Sequence, residues 1–370
     1  MKLIICGWYG TETLGDKAIL GGISRSIGDL FEEKYICSIH PYLTEVTKSQ
    51  MPELNDFDVI DFATTLDLID KETVLIFGGG PLMAIHEVLD MLQLFVVTKQ
   101  KGGTTGLAGV GIGPFGNKVL NKAIFHLIEN SDFEIYRDME SLQTREKLIG
   151  FSNNAEVTED PSLVWVTEVR DSILQKKGPI IRENNELILA LRNFPFEQYA
   201  YKEGRKKGLK IQKRFNEKIK LVIKQAIEKD DIVIKPLPMC TNFFGDDDRW
   251  YYRNLLEGDI FNEKIDRTLI QEELSPEKYL ESFMRCNSAL TMRFHSVVFS
   301  LGTKTPQTAI DYTLGRGKVN ALIQKHSLSK ISLLSNESIS LSEILQKSKC
   351  NEEPSLSFKN VIREKIKAIL

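Results

Sequence analysis

The feature that most constrains this chain is a regular alternation, through its first half, of short apolar runs with longer segments of helical periodicity. Lys2–Cys6, Lys34–Ile39, Phe57–Phe62, Thr73–Phe77, Gly106–Ile112 and Asp132–Tyr136 read as strands; residues near 16–30, 83–101, 118–130 and 138–149 read as helices. Such alternation implies parallel strands joined by crossover helices. Strands that are apolar throughout suit a sheet covered on both faces. Over residues 166–186 the pattern lapses into a polar stretch containing Gly178 and Pro179, which reads as a linker. A second alternating block succeeds it, with strands at Glu186–Leu191, Asp231–Lys235, Ser288–Met292 and Gln307–Asp311 and helices near 210–229 and 276–286. Ser275 and Pro276 offer the last of these a capping hydroxyl and a first-turn proline. At the end, Phe358, Val361, Ile362, Ile366, Ile369 and Leu370 share one helical face, so a terminal helix should dock onto a domain. The expected organisation is an N-terminal α/β domain over residues 1–170, a C-terminal one over 185–350, and a docking helix over 351–370.

Composition agrees with two globular domains: 370 residues, 42% hydrophobic and 27% charged. A formal charge of −3 argues against a general nucleic-acid binder, although the stretch Lys202 to Lys224 is locally basic. The cysteines, Cys6, Cys37, Cys240, Cys286 and Cys350, are dispersed and form no CxxC pair, which reads as reduced thiols and not as a disulfide framework or zinc site. The start, MKLIICGWYG, is too short before its first glycine for a signal-peptide core. No run reaches the roughly 18 apolar residues of a membrane span. The expectation is a cytoplasmic protein.

In open parallel sheets, ligands sit beyond the carboxyl ends of strands, so the strand-end loops decide function. The first, GWYGTETLGDKAIL over 7–20, carries Gly7, Gly10 and Gly15 with Thr11 and Thr13 between them and Asp16 at the start of the next helix. A tight turn explains one glycine; three with interleaved threonines favour a ligand loop. After the next central strand come Gly78, Gly79 and Gly80, which answer either close ligand approach or close packing against the first loop. Gly109 to Pro114 reads as packing, Arg137-Asp138 as a pair capping the next helix, and Glu159-Asp160-Pro161 as a turn.

In the second half, Arg192 ends one strand and Arg293-Phe294-His295 links another to an apolar helix. A guanidinium, an imidazole and a helix N-terminus together form an anion site. A lone histidine is more often structural, but His40, His86, His126 and His326 have no comparable setting. Asp311, Tyr312 and Lys318 come after the next strand. Asp246-Asp247-Asp248 suits helix capping better than metal binding.

In this order, GWYGTETLGDKAIL, FGGGPLM, GVGIGPF, RDMES, EDPSL, ALR, LPM…GDD and MRFHSVVFSLGTKTP resemble the polysaccharide pyruvyl transferase family over about residues 1 to 320. The resemblance implies two Rossmann-like α/β domains facing across a cleft, in the glycosyltransferase-B manner. It also implies transfer of pyruvate from phosphoenolpyruvate onto sugar hydroxyls, as a cyclic ketal, in cell-surface polymer synthesis. No cofactor or metal is implied; phosphoenolpyruvate is a co-substrate. Carried over by position, Arg192, Arg293 and His295 would hold the donor, with Lys318 closing the pocket. Gly7, Gly10, Thr11, Thr13, Gly15, Gly79 and Gly80 would form the acceptor side, and Asp16 would be the base. The sequence departs from the family at Thr13, where an asparagine is usual. It departs again at Ala84 to His86, which lack an acidic residue, and at Tyr312 to Lys318, which carry extra residues.

The rival expectation is a nucleotide-sugar-dependent glycosyltransferase using Arg293 on a diphosphate. A third is a non-catalytic binder of sugars or lipid carriers. The acceptor's identity, whether it is lipid- or nucleotide-linked, and whether the chain forms a homo-oligomer are left open. A lipid-linked acceptor would place the protein peripherally at the inner face of the cell membrane.

Overall fold

The computed structural model describes residues 1–195, 204–228, 232–241, 247–258, 262–312, 317–332, 340–348 and 353–370. The chain divides into two units, Met1–Trp165 with Ser355–Leu370, and Val166–Pro354.

Unit 1 alternates strand and helix from its first residues: β1 (Lys2–Cys6), α1 (Leu14–Ile27), β2 (Glu33–Cys37), α2 (Pro41–Ser49), β3 (Asp58–Ile60), α3 (Phe62–Leu68) and β4 (Thr73–Phe77). Then come β5 (Pro81–Leu82), α4 (Glu87–Gln100), β6 (Thr104–Ile112), α5 (Lys118–Glu129), β7 (Phe133–Tyr136), α6 (Met139–Ile149) and β8 (Ala155–Val157). The sheet order is β3-β2-β1-β4-β6-β7-β8, with β5 paired to β6, and every pairing is parallel. β4 is buried at all five positions, as expected of a strand covered on both faces.

Helices α2 and α3 and the strand β8 leave no signal in the sequence because they are too short to show a period. Arg137 and Asp138 behave much as expected. Asp138 caps α6 by accepting from the Ser141 N–H at 2.7 Å, while Arg137 reaches Asp160 at 3.1 Å and so ties the end of β7 to the turn after β8.

The expected linker is helical in its first half, where α7 (Ser162–Lys177) runs. Its polar residues mislead because several of them, Thr167 and Arg170 among them, are buried. Unit 2 continues with β9 (Glu183–Ala190), α8 (Arg205–Glu228), β10 (Val233–Pro236), α9 (Asp248–Leu255), α10 (Thr268–Gln271), α11 (Pro276–Arg285) and β11 (Cys286–Thr291). It closes with α12 (Phe294–Gly302), β12 (Gln307–Asp311), α13 (Gly317–Lys325), β13 (Ser329–Ser332) and α14 (Leu341–Lys347). The sheet order is β10-β9-β11-β12-β13, again all parallel. Pro276 opens α11 as expected, but the Ser275 side chain makes no capping bond.

The last helix, α15 (Ser357–Lys367), belongs to unit 1 and buries Phe358, Ile362 and Ile366. Arg363 pairs with Asp29 at 2.6 Å. Leu370, placed on the apolar face by its spacing, lies beyond the helix end and is 52% exposed.

Candidate functional site

Each sheet reverses its direction of growth once. In unit 1, β2 and β3 add on one side of β1, and β4 starts the other side. In unit 2, β10 adds on one side of β9 and β11 on the other. A reversal leaves a crevice at the carboxyl ends of the two central strands. The residues singled out by sequence fall at these two places.

In unit 2 the register Leu189↔Leu290 and Ala190↔Thr291 brings the ends of β9 and β11 level. Met292 N–H donates to the Ala190 carbonyl at 3.0 Å. Arg192 and Arg293, each two residues past its strand, are therefore set at one crevice. Arg293 Nε and Nη2 donate to Asp248 Oδ2 and Oδ1 at 2.8 and 2.6 Å, a two-pronged pair in which the Asp248 side chain is 1% exposed. Asp248 Oδ2 also accepts from the N–H groups of Met239 and Cys240, at 3.0 and 3.1 Å, just past β10. One carboxylate thus joins the ends of β10 and β11. One turn further along α9, the buried Tyr252 hydroxyl accepts from Leu191 N–H at 2.7 Å and donates to the Leu189 carbonyl. A single face of α9 fixes three strand ends.

Burial pushes the Asp248 carboxyl up from its ordinary range, while Arg293, Arg192 and the Met239 N–H hold it down. Arg293 and the two backbone N–H groups all donate to this carboxylate, so the ionised form is the one the geometry serves. Burial works against the Arg293 charge as well, yet Asp248 keeps the guanidinium above its ordinary value.

Around this pair, Arg192 stands over the Tyr312 ring at 5.9 Å. Lys318 Nζ lies 5.5 Å from the centre of the Phe294 ring, which stands nearly perpendicular to the His295 ring with their centres 5.1 Å apart. Arg293 is the N-cap of α12 and His295 lies in its first turn, where unsatisfied N–H groups carry partial positive charge. Arg192 and Arg293 both act on Asp248, while Lys318 and His295 flank the ring of Phe294, the residue after Arg293.

In unit 1, Gly10 has φ 85° and stands so close to the next loop that a Cβ would meet the His40 carbonyl at 2.8 Å. Gly7 lies against the backbone of Gly78, with 3.0 Å between a notional Cβ and that carbonyl oxygen, so the first loop and the triple glycine pack directly together. Trp8 Nε1 donates to the Pro81 carbonyl at 2.8 Å and ties them. Gly79 and Gly80 lie under Trp8, Gly80 also beside Asp16. Thr11 Oγ1 donates to the Trp8 carbonyl at 2.7 Å, Thr13 Oγ1 to Asp16 Oδ2 at 2.7 Å, and the two hydroxyls are 2.9 Å apart. Gly15 is buried in the first turn of α1. Trp8, Tyr9, Gly10, Thr11, Thr13 and Asp16 line a small hollow that opens to solvent. Gly10→Ala should cost about 1–2 kcal/mol for the left-handed backbone alone, with the His40 clash in addition, and appear as a lowered Tm.

Two residues of the crevices escape sequence reasoning. The acidic triplet that contains Asp248 reads as helix capping; Asp247 does cap, accepting from Arg249 N–H at 2.9 Å, and Asp246 lies outside the described residues. The signal for Asp248 is its i, i+4 spacing to Tyr252, which places two polar groups on one helix face. Tyr9 is 3% exposed, and burial pushes its phenol well above the ordinary range. Nothing among the described residues hydrogen-bonds to its hydroxyl. Among the described residues no group of three or more His, Cys, Asp or Glu is placed to hold a metal ion.

A family model described as polysaccharide pyruvyl transferase matches residues 14–313, which reach both crevices. The chain belongs to the polysaccharide pyruvyl transferase family. No protein of curated function matches the sequence. Among solved structures, this family member is similar to the UDP-GlcNAc 2-epimerase of Methanocaldococcus jannaschii. That likeness has 15% identity over 99% of this chain and 100% of the other, with a TM-score of 0.63. The UDP-GlcNAc 2-epimerase of Neisseria meningitidis, bound to UDP-GlcNAc, gives 10% identity over 100% of both chains and a TM-score of 0.62. At such identities the likeness shows the fold alone: two Rossmann-like α/β units, as in glycosyltransferase-B-like proteins. Among the described residues no helix is long and apolar enough to cross a membrane.

Proposed function

We propose that this pyruvyl transferase family member takes phosphoenolpyruvate as donor at the unit 2 crevice and transfers its pyruvyl group to sugar hydroxyls. The observation that carries the reading is the pair Arg192 and Arg293 at the carboxyl ends of β9 and β11, with Lys318 and the α12 N-terminus beside them. A donor bearing both phosphate and carboxylate needs several cations held in place before it arrives.

In this mechanism His295 protonates the donor's methylene carbon, which leaves C2 electron-poor. A sugar hydroxyl oxygen bonds to C2 and gives its proton to a base. The bond from C2 to the phosphate oxygen breaks and phosphate departs with that electron pair, held by the arginines. A second hydroxyl then bonds to C2 and loses its proton, closing the ketal. On the acceptor side Asp16 offers an acceptor to a sugar hydroxyl. The Thr13 bond to Asp16 fixes the carboxylate's orientation.

Acceptor-dependent phosphate release from phosphoenolpyruvate, monitored over a panel of free, nucleotide-linked and lipid-linked sugars, tests the reading. Release with at least one acceptor, lost in His295→Ala, is the expected result. Turnover of a nucleotide sugar without any use of phosphoenolpyruvate would replace it with the glycosyltransferase reading.

A further inference from the structure

Helix α8 carries nine basic and two acidic residues, a net of +7 in a chain whose total is −3, so the remainder totals −10. Its inner face is apolar, with Ile211, Phe215, Ile219 and Val222 buried. Its outer face exposes Arg205, Lys206, Lys207, Lys210, Lys213 and Arg214 within the first ten residues, then Lys220 and Lys224. Glu217 and Glu228 are the exposed acids, and Leu209 and Leu221 stand out from the same face at 47% and 57% exposure.

Helix stability does not explain this placement. Cations near a helix N-terminus are opposed by its partial positive charge, and no acidic residue occupies the first turn to offset them. A face kept merely for solvation would carry both signs, or would place its lysines toward the other end. The helix is about 36 Å long at 1.5 Å per residue, which gives a straight basic ridge with two leucines along it.

We infer that the outer face of α8 docks the protein onto an anionic lipid bilayer. Juxtaposed lysines and arginines bind such surfaces additively, and partly exposed leucines add apolar contact at the headgroup boundary. The face exposes no aromatic side chain for stacking on bases, which favours lipid over single-stranded nucleic acid. The remaining chain, being strongly acidic, is repelled by the same bilayer, so docking has one orientation. The chain passes from the carboxyl end of β9 into α8, so the most basic end of the helix lies toward the strand edge that holds Arg192 and Arg293. The inference rests on this charge pattern and not on the donor reading, and either stands without the other.

The test is co-sedimentation of the full chain with vesicles of phosphatidylcholine alone and of phosphatidylcholine mixed with phosphatidylglycerol, whose negative surface potential attracts basic segments. Binding is expected to the anionic vesicles only, weakened as salt rises because screening shortens the reach of the charges. Lys206→Glu/Lys210→Glu/Lys213→Glu should weaken it at least tenfold, while the exposed pair Lys118→Glu/Lys122→Glu on α5 should leave it unchanged. All three positions are exposed and Lys206 lies in the first turn, where an acid is favoured, so the Tm should not fall and lost binding will not reflect unfolding. Equal binding to neutral vesicles, no binding to anionic ones, or an unaffected triple variant would each overturn the inference. So would displacement from the vesicles by a duplex oligonucleotide at matched charge, which would reassign the face to nucleic acid.

Discussion

Arg293→Gln is expected to lower kcat/KM for phosphoenolpyruvate by at least about a hundredfold, the usual cost of removing a preorganised donor from a developing negative charge. The loss arises because Asp248 engages Nε and Nη2 and so holds the guanidinium charge rigid at the crevice. The same substitution strands Asp248, 1% exposed, without its guanidinium. Breaking one side of a buried pair costs about 3–5 kcal/mol, so Tm should fall as well. Asp248→Asn/Arg293→Gln removes both charges, and it should recover much of the Tm while leaving turnover as low as in the single variant. Recovery of Tm together with activity would show that Arg293 serves the fold and not the donor. Arg293→Lys keeps the charge but loses the planar fork, and should resemble Arg293→Gln in kcat/KM more than wild type.

Asp248→Asn is the second large effect, and its sign is informative. Removing a negative charge beside a cluster of cations would, by Coulomb attraction alone, tighten the binding of an anion. If Asp248 acts by holding Arg293 in place, binding must weaken instead. Asn can accept at one atom but presents an N–H₂ group where Asp248 now receives Arg293 or the backbone donors of Met239 and Cys240. We expect inorganic phosphate, titrated into the full chain, to bind about tenfold more weakly, a loss of about 1.4 kcal/mol. The acceptor's KM should be unaffected, because the change is confined to the donor side. Tighter phosphate binding would assign Asp248 an electrostatic and not a positioning role.

Much of this is legible in the sequence because α/β folds write their chemistry at strand ends. The runs Thr73–Phe77 and Ser288–Met292 announce buried parallel strands, and the residues directly after them fall at the two crevices. Arg192, Arg293 and His295 can be singled out simply as the polar residues that succeed an apolar run. Asp248 cannot be found that way. It lies 45 residues from Arg293 in sequence and meets it only once α9 folds against the ends of β10 and β11. Local spacing offers a capping role, which belongs to its neighbour Asp247. Over residues 166–177 the expected linker is instead α7, which buries the polar Thr167 and Arg170 as well as apolar residues, so its apolar period lapses and resembles a break in structure. Tyr9 is hidden by its loop, where no periodicity tells a buried tyrosine from an exposed one.

Calorimetric titration of the full chain with phosphoenolpyruvate tests the central claim most directly, beside Arg192→Gln, Arg293→Gln and a control at the exposed Lys122 of the other unit, Lys122→Gln. Saturable binding is predicted for the wild type and for the folded control, with its loss in both arginine variants. Absence of binding to the wild type, or binding that survives both arginine substitutions, would contradict the assignment of the donor to this crevice.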